Sequence, residues 1–210
     1  MAILSSEPRP HERRAGNIWN LPNQITLARI GLAFIYIFLQ SSGLQERSVW
    51  VHTVTLIIFI VAGISDWLDG YLARKMNLLS DFGRLFDPLA DKILICAALI
   101  GLMGHHLIPY WIVVLVISRE FLITGLRLVA LQQGQVLAAE KAGKHKTVSQ
   151  IVTIIVGLLF LTLQEWSRGE ELSFAMRFME RIQPWLNYWT LLVSIGSGIY
   201  YLWKNRKLLE

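Results

Sequence analysis

The chain has a single cysteine, Cys96, so no disulfide can close within it, and the apolar run around that residue reads as a place for a small core side chain. Charge is also scarce. Only 17% of the 210 residues are charged, against 54% hydrophobic, and the mean hydropathy is +0.46. That balance excludes a solvated, disordered polymer and points to a chain that folds in lipid. No internal repeat and no low-complexity block is present, which excludes a solenoid. The first 17 residues, MAILSSEPRPHERRAGN, lack the apolar stretch of a cleavable signal, so none is expected.

What is present is a series of long apolar runs. Measured against the roughly 20 residues that cross a bilayer, they give six candidate spans at about 24–42, 49–71, 84–104, 108–133, 147–165 and 186–203. The expected fold is therefore all-α, a polytopic membrane protein with six transmembrane helices. Residues 1–16, with Pro8 and Pro10, form a polar tail, and 17–210 the membrane domain. Ile18, Trp19 and Leu21 before Pro22 suggest a short N-terminal interfacial helix. Between the last two spans, Leu172, Ala175, Met176, Met179 and Ile182 recur at helical spacing, so an amphipathic helix lying on the outer surface is expected. Most tryptophans fall near span ends, as interfacial belts do. His105 and His106 fall in a predicted outer turn and read as exposed loop side chains.

The formal charge of +5 is not spread as nucleic-acid binding requires. Twelve cations, from Arg9 to Lys207, fall in the tail and loops of one side, while Arg47, Arg168, Arg177 and Arg181 fall on the other. Since Lys and Arg accumulate in cytoplasmic loops, both termini are expected inside, as in a protein of a bacterial inner membrane. Four cations remain within the spans: Arg29, Lys92, Arg119 and Arg127.

Four aspartates lie inside the apolar runs: Asp66 and Asp69 in IVAGISDWLDGYLAR, Asp87 and Asp91 in GRLFDPLADKILICAALIGL. Each would cost about 2.5 to 3.5 kcal/mol at the centre of a lipid-facing helix. They must face something else. At spacings of three and four residues each pair shares a helix face, and a short turn between the two helices lets the pairs converge at the inner boundary. Carboxylates gathered this way suit one or two hard divalent cations, Mg2+ or Mn2+, and such ions partner a diphosphate. Small residues at Gly70, Ala73 and Gly83 leave room for a ligand, and Arg74 offers a fork for a phosphate. The structural alternative is a set of buried ion pairs with Lys92, Arg119 and Arg127.

Written out, the segment from Asp66 to Asp91 is D-x2-D-G-x2-A-R-x8-G-x3-D-x3-D. It resembles, without a departure, the signature of the CDP-alcohol phosphatidyltransferase family. The resemblance implies an integral membrane enzyme with six transmembrane helices, usually a homodimer, that moves a phosphatidyl group from CDP-diacylglycerol to an alcohol and releases CMP. By that similarity Asp66, Asp69 and Asp87 are metal ligands, and Asp91 is both a ligand and the catalytic base. Asp69, Gly70, Arg74, Ser80 and Gly83 would line the CDP-diacylglycerol site, with Asn23, Thr26 and Arg29 beside the nucleotide. Helix capping is the alternative for Asn23 and Thr26.

Three further stretches, LPNQITLARI at 21–30, SREFLITGLR at 118–127 and GKHKT at 143–147, resemble the branch of that family acting on glycerol 3-phosphate. Together the resemblance covers roughly residues 21–157. Arg119 and Arg127, eight apart on one face of the fourth span, and Lys144 and Lys146 at the start of the fifth would suit an acceptor that carries a phosphate. Pairing with Glu120 or the aspartates is the alternative for the arginines, and loop topology for the lysines. The expected partners are CDP-diacylglycerol, sn-glycerol 3-phosphate and membrane lipid. Rival acceptors within the family are phosphatidylglycerol, giving cardiolipin, and inositol phosphate. A divalent-cation transporter is the rival of another class.

Overall fold

The computed structural model describes residues 21–41, 50–76, 81–133, 141–167 and 173–206; within the helices, the side chains of 21–23, 66–76, 81–88, 91, 131, 141 and 142 lie outside what it describes. The described residues form six helices and no strand: α1 (Leu21–Ser41), α2 (Val51–Met76), α3 (Asp81–Gly104), α4 (Tyr110–Gln132), α5 (Lys141–Ser167) and α6 (Phe174–Lys204). The all-α expectation holds, and each helix contains or overlaps one apolar run. Two of them, over Gln24–Ser41 and Gly143–Ser167, are long and apolar enough to cross a membrane by themselves. Among the described side chains of α2 and α3, Val51–Ser65 and Lys92–Gly104 are apolar stretches as well.

Two expectations need correction. Residues 173–185 do not form a separate surface helix, because α6 runs unbroken from Phe174 through Pro184 to Lys204. Ser173 caps it, its hydroxyl accepting from the Met176 amide at 3.3 Å. Proline removes one backbone donor and normally kinks or ends a helix. Here the flanking turns are held by side chains: the Gln183 amide donates to Asn187 Oδ1 at 3.2 Å and to the Thr153 carbonyl at 3.4 Å. The second correction concerns His105, which is half-buried against His52 rather than exposed, their ring centroids 4.9 Å apart. Burial first, then the neighbouring imidazoles, push its pKa below the ordinary value. The interfacial helix expected at 17–23 lies mostly outside the described residues; from Leu21 the chain is already α1.

The polarity of the bundle is inverted relative to a water-soluble core. Phe34, Phe38, Ile57, Phe121, Leu192 and Ile199 are exposed, while Thr55, Gln150, Thr153, Thr190 and Ser194 are buried. Outward apolar side chains over every helix suit lipid, and inward polar ones act as interhelical links. Between α5 and α6 the Thr153 and Thr190 hydroxyls meet at 2.8 Å and Thr190 donates to the Ser149 carbonyl at 3.1 Å, while Asn187 ties α6 to the α3–α4 turn by donating to the Leu107 carbonyl at 2.8 Å. An apolar core of Ala33, Tyr36, Leu102, Val116, Ile154 and Leu158 fills the centre. The helix α1 packs on α2 and α3, α5 on α6, α2 and α3, and α4 on α6 and α3. Gly157 lets α5 approach α3 closely, since a Cβ there would stand 2.8 Å from Leu102 Cδ1.

Candidate active site

The aspartates sit on two neighbouring helices. Asp66 and Asp69 belong to the C-terminal half of α2, Asp87 and Asp91 to the first half of α3, and the two helices touch. The helical backbone keeps the i, i+3 and i, i+4 relations that put each pair on one face. Their side chains, and those of Gly70, Arg74, Gly83 and Asn23, lie outside the described residues, as does Ser80 altogether. Four carboxylates are hard oxygen donors, and that donor set fits Mg2+ or Mn2+ in preference to softer metals.

Next to this segment lies a cavity of about 890 Å3. On α2 it reaches Ile64, two residues before Asp66, and on α3 it reaches Lys92, which follows Asp91 directly. All four cations expected to hold an acceptor phosphate, Arg119, Arg127, Lys144 and Lys146, line it, and Lys92 joins them. The fourth and fifth helices bring them together: Arg119 and Arg127 recur after two turns of α4, and Lys144 and Lys146 open α5. The rest of the wall is mostly apolar, from Phe59, Ile95, Ile123 and Ile155, which suits a ligand with both a charged and an oily part.

Internal partners hold several of these cations. Glu120, buried, accepts from Lys146 Nζ at 2.5 Å and from Arg119 Nη1 at 3.2 Å. The pairing alternative for Arg119 is therefore realised in part, and Lys146 shares the same carboxylate. The other Arg119 terminal nitrogen donates to the Ser197 hydroxyl at 3.0 Å. Gly198 makes room for that side chain, because a Cβ there would meet Arg119 Cγ at 3.0 Å. Arg127 Nε donates to the Tyr201 hydroxyl at 3.1 Å, its guanidinium 5.3 Å from the centre of that ring. Lys92 donates to the Thr124 hydroxyl, which in turn donates to the Glu120 carbonyl at 2.7 Å. Among the described residues of the lining, five cations face one carboxylate, so the cavity carries a positive excess.

Thr26 and Arg29 are buried on α1, and neither is among the residues lining this cavity. Sequence reasoning missed Gln150, Ser197 and Tyr201, all of which line it. Gln150 is fully buried, and neither its amide nitrogen nor its oxygen has a hydrogen-bond partner among the described residues. A lone amide among the apolar residues of α5, and a Ser and Tyr four apart on α6, were the available signals.

The family profile of CDP-alcohol phosphatidyltransferase matches residues 19–196. The chain belongs to the CDP-alcohol phosphatidyltransferase family. The match runs from the start of α1 into α6, past the 21–157 carried by the sequence motifs, so the long last helix is part of the family domain. A CDP-diacylglycerol–glycerol-3-phosphate 3-phosphatidyltransferase of Bacillus subtilis is 47% identical over 150 residues, 68% of this chain and 78% of that protein. Proteins of the same name from Mycoplasma pneumoniae and Haemophilus influenzae are each 31% identical. The first match covers 90% of this chain and 89% of the relative, the second 86% and 95%. Membership in this family makes the chain a membrane phosphatidyltransferase, consistent with its outward apolar surface.

Proposed function

We propose that the chain transfers the phosphatidyl group of CDP-diacylglycerol to sn-glycerol 3-phosphate, forming phosphatidylglycerophosphate and CMP. The observation that carries the choice of acceptor is the cavity beside the aspartate helices, where Arg119, Arg127, Lys92, Lys144 and Lys146 meet. A neutral or zwitterionic alcohol has no use for that many cations, whereas a phosphomonoester does. The relatives' names point to the same acceptor.

In this reading Asp69, Gly70, Arg74, Ser80 and Gly83 grip the nucleotide part, with Asn23, Thr26 and Arg29 of α1 supporting it. The acceptor hydroxyl oxygen attacks the phosphatidyl phosphorus, its proton passes to the Asp91 carboxylate, and the bond to the CMP phosphate breaks. Asp66, Asp69, Asp87 and Asp91 would hold one or two Mg2+ or Mn2+ ions, which when bound neutralise the diphosphate and improve the leaving group. The arginines and lysines hold the acceptor phosphate so that the hydroxyl reaches the reacting centre, a positioning effect. In this reading the chain makes six spans in a bacterial-type inner membrane, with both termini and the site at the cytoplasmic face, and works as a homodimer.

Purified protein given CDP-diacylglycerol, Mg2+ and a panel of acceptors should release CMP with glycerol 3-phosphate and give no lipid product with serine, inositol phosphate or phosphatidylglycerol. Product with phosphatidylglycerol alone would overturn the acceptor, and metal flux into liposomes with no CMP release would overturn the enzyme. Asp91→Asn should abolish most turnover while part of the CDP-lipid binding survives. Normal rates in that variant would remove Asp91 as the base.

A further inference from the structure

At the opposite end of the same helices lies a second polar cluster that this chemistry does not use. His52 follows the first residue of α2 and His105 follows the last of α3. Each is separated by 14 residues from the nearest aspartate of its helix, about 21 Å at 1.5 Å per residue. Four elements converge here: the end of α1 through Gln40, the start of α2, the turn after α3, and the end of α5 through Glu165.

Two imidazole nitrogens and a carboxamide oxygen come together here. His52 Nε2 and His105 Nε2 point at each other 3.4 Å apart. Gln40 Oε1 stands 3.4 Å from the same His105 nitrogen. A tetrahedral Zn2+ with metal–nitrogen bonds of about 2.0 to 2.1 Å needs its ligand atoms about 3.3 to 3.4 Å apart, and both separations meet that value. His52 Nδ1 lies 3.2 Å from Glu165 Oε1, within ion-pair reach but without the alignment of a hydrogen bond; a small turn of the ring would make it the carboxylate contact that orients metal-bound imidazoles. Glu165 is itself fixed, accepting from the backbone amides of Val51 at 3.1 Å and His52 at 3.2 Å. Gln40 is fixed by donating its amide to the Tyr36 hydroxyl at 3.1 Å, which turns its oxygen towards the histidines.

The backbone of the next residue, His106, is unusual. His106 has φ +60, the left-handed region that favours glycine, and it closes α3 in a paired turn, with His106 N to Met103 O at 3.0 Å and Leu107 N to Leu102 O at 3.0 Å. A glycine would close that turn at no steric cost, yet a bulky side chain occupies it. Strain held beside a converging set of donors is the pattern of a functional site.

We infer that His52, His105 and Gln40 bind a Zn2+ ion, with water in the fourth position and the Glu165 carboxylate behind His52, clamping the ends of α1, α2, α3 and α5 at the face opposite the aspartates. Imidazole and carboxamide donors select Zn2+ over Mg2+, so the two ends of the molecule take different metals.

The test uses Zn2+ as the probe on detergent-purified full chain in excess Mg2+, so that the acidic site is already supplied. Equilibrium dialysis with metal analysis should find one Zn2+ per chain, lost in His52→Ala and in His105→Ala. Glu165→Gln should weaken binding roughly 10- to 100-fold. Cu2+ substituted for Zn2+ should show nitrogen coupling from two imidazoles in its electron paramagnetic resonance spectrum. His105→Gln serves if an alanine variant does not fold, and CMP release by the metal-free His105 variants should match that of the parent chain. No Zn2+ bound by the parent chain would reduce the pair to two imidazoles sharing a proton and overturn the assignment, as would Zn2+ retained by both histidine variants. These outcomes are independent of whether the acceptor is glycerol 3-phosphate.

Discussion

Glu120 decides how the cavity's cations are arranged. It is the one acid among the described lining residues, and both Lys146 and Arg119 lean on it. A buried carboxylate between two cations is not itself strong evidence of stability, because the desolvation of three charges offsets most of the attraction. Removing it is another matter. Glu120→Gln keeps the shape and takes away the charge, leaving two cations facing each other with no counter-ion. The expected cost is about 3 to 5 kcal/mol, the size found when one partner of a buried ion pair is deleted. A thermal-unfolding midpoint in detergent checks it, and an unchanged midpoint would mean that water in the cavity already solvates both cations. Because Glu120 holds Arg119 and Lys146 apart without neutralising Arg127, Lys144 or Lys92, the cavity stays positive enough for a phosphate. At this scale the sequence was legible in part. The arginines and lysines stood out because charge in an apolar run is costly and asks for a reason. Tyr201, Ser197 and Gln150 did not, because a single hydroxyl or amide in such a run is cheap and common, and only the packing of α6 and α5 shows what each one touches.

The helices themselves are held by two kinds of contact, polar links between α5 and α6 and close apolar approach between α3 and α5. The approach is sharpest at Gly157, where a Cβ would stand 2.8 and 2.9 Å from the two methyls of Leu102. Leu102 is completely buried, so its methyls have nowhere to go. Gly157→Ala should therefore destabilise the bundle by about 1 to 3 kcal/mol through overpacking, despite alanine's better helix propensity. Adding Leu102→Val, which removes the crowded atoms, should recover part of the loss in the same unfolding measurement. A neutral or stabilising Gly157→Ala would show that α3 and α5 can part without cost. Helix existence was readable because long apolar runs permit little else in lipid, where backbone groups must be satisfied within the segment. Five of the six helices follow the apolar runs, with polar turns added at one or both ends of α2, α3 and α5. The sixth begins well before its apolar run, because the amphipathic stretch ahead of Pro184 continues into it, and one of the Gln183 hydrogen bonds beside that proline reaches Thr153, 30 positions away. His105 was misplaced for the same reason: its partner His52 is 53 residues away, and a turn histidine carries no sign of what packs on it.

On the scale of the whole molecule, apolar outside and polar inside, the same bundle presents two chemically different ends. One carries the aspartates and the basic starts of α5 and end of α6; the other carries His52, His105 and the tryptophan pair Trp50 and Trp166, packed edge to face at 5.0 Å. The proposed six spans, with basic loops at the aspartate end, would put that end in the cytoplasm, because cationic loops resist translocation. The orientation can be read directly, since the lone Cys96 is easily replaced. On a Cys96→Ala background, single cysteines at Tyr110 and Trp166, both exposed, should react with a membrane-impermeant maleimide added to the outer side of sealed vesicles of known orientation. Cysteines at Lys144 and Trp203 should be protected until the membrane is opened. Reaction of all four from one side would mean that fewer than six helices cross. Tyr110 protected alongside Lys144 would instead place the α3–α4 turn on the cytoplasmic side and break the even count that brings both termini and the active site to one face. The six-helix arrangement stands only if the labelling divides along the length of the bundle, since α2 and α3 would each cross carrying two aspartates, a cost that is tolerable only where those side chains face away from lipid.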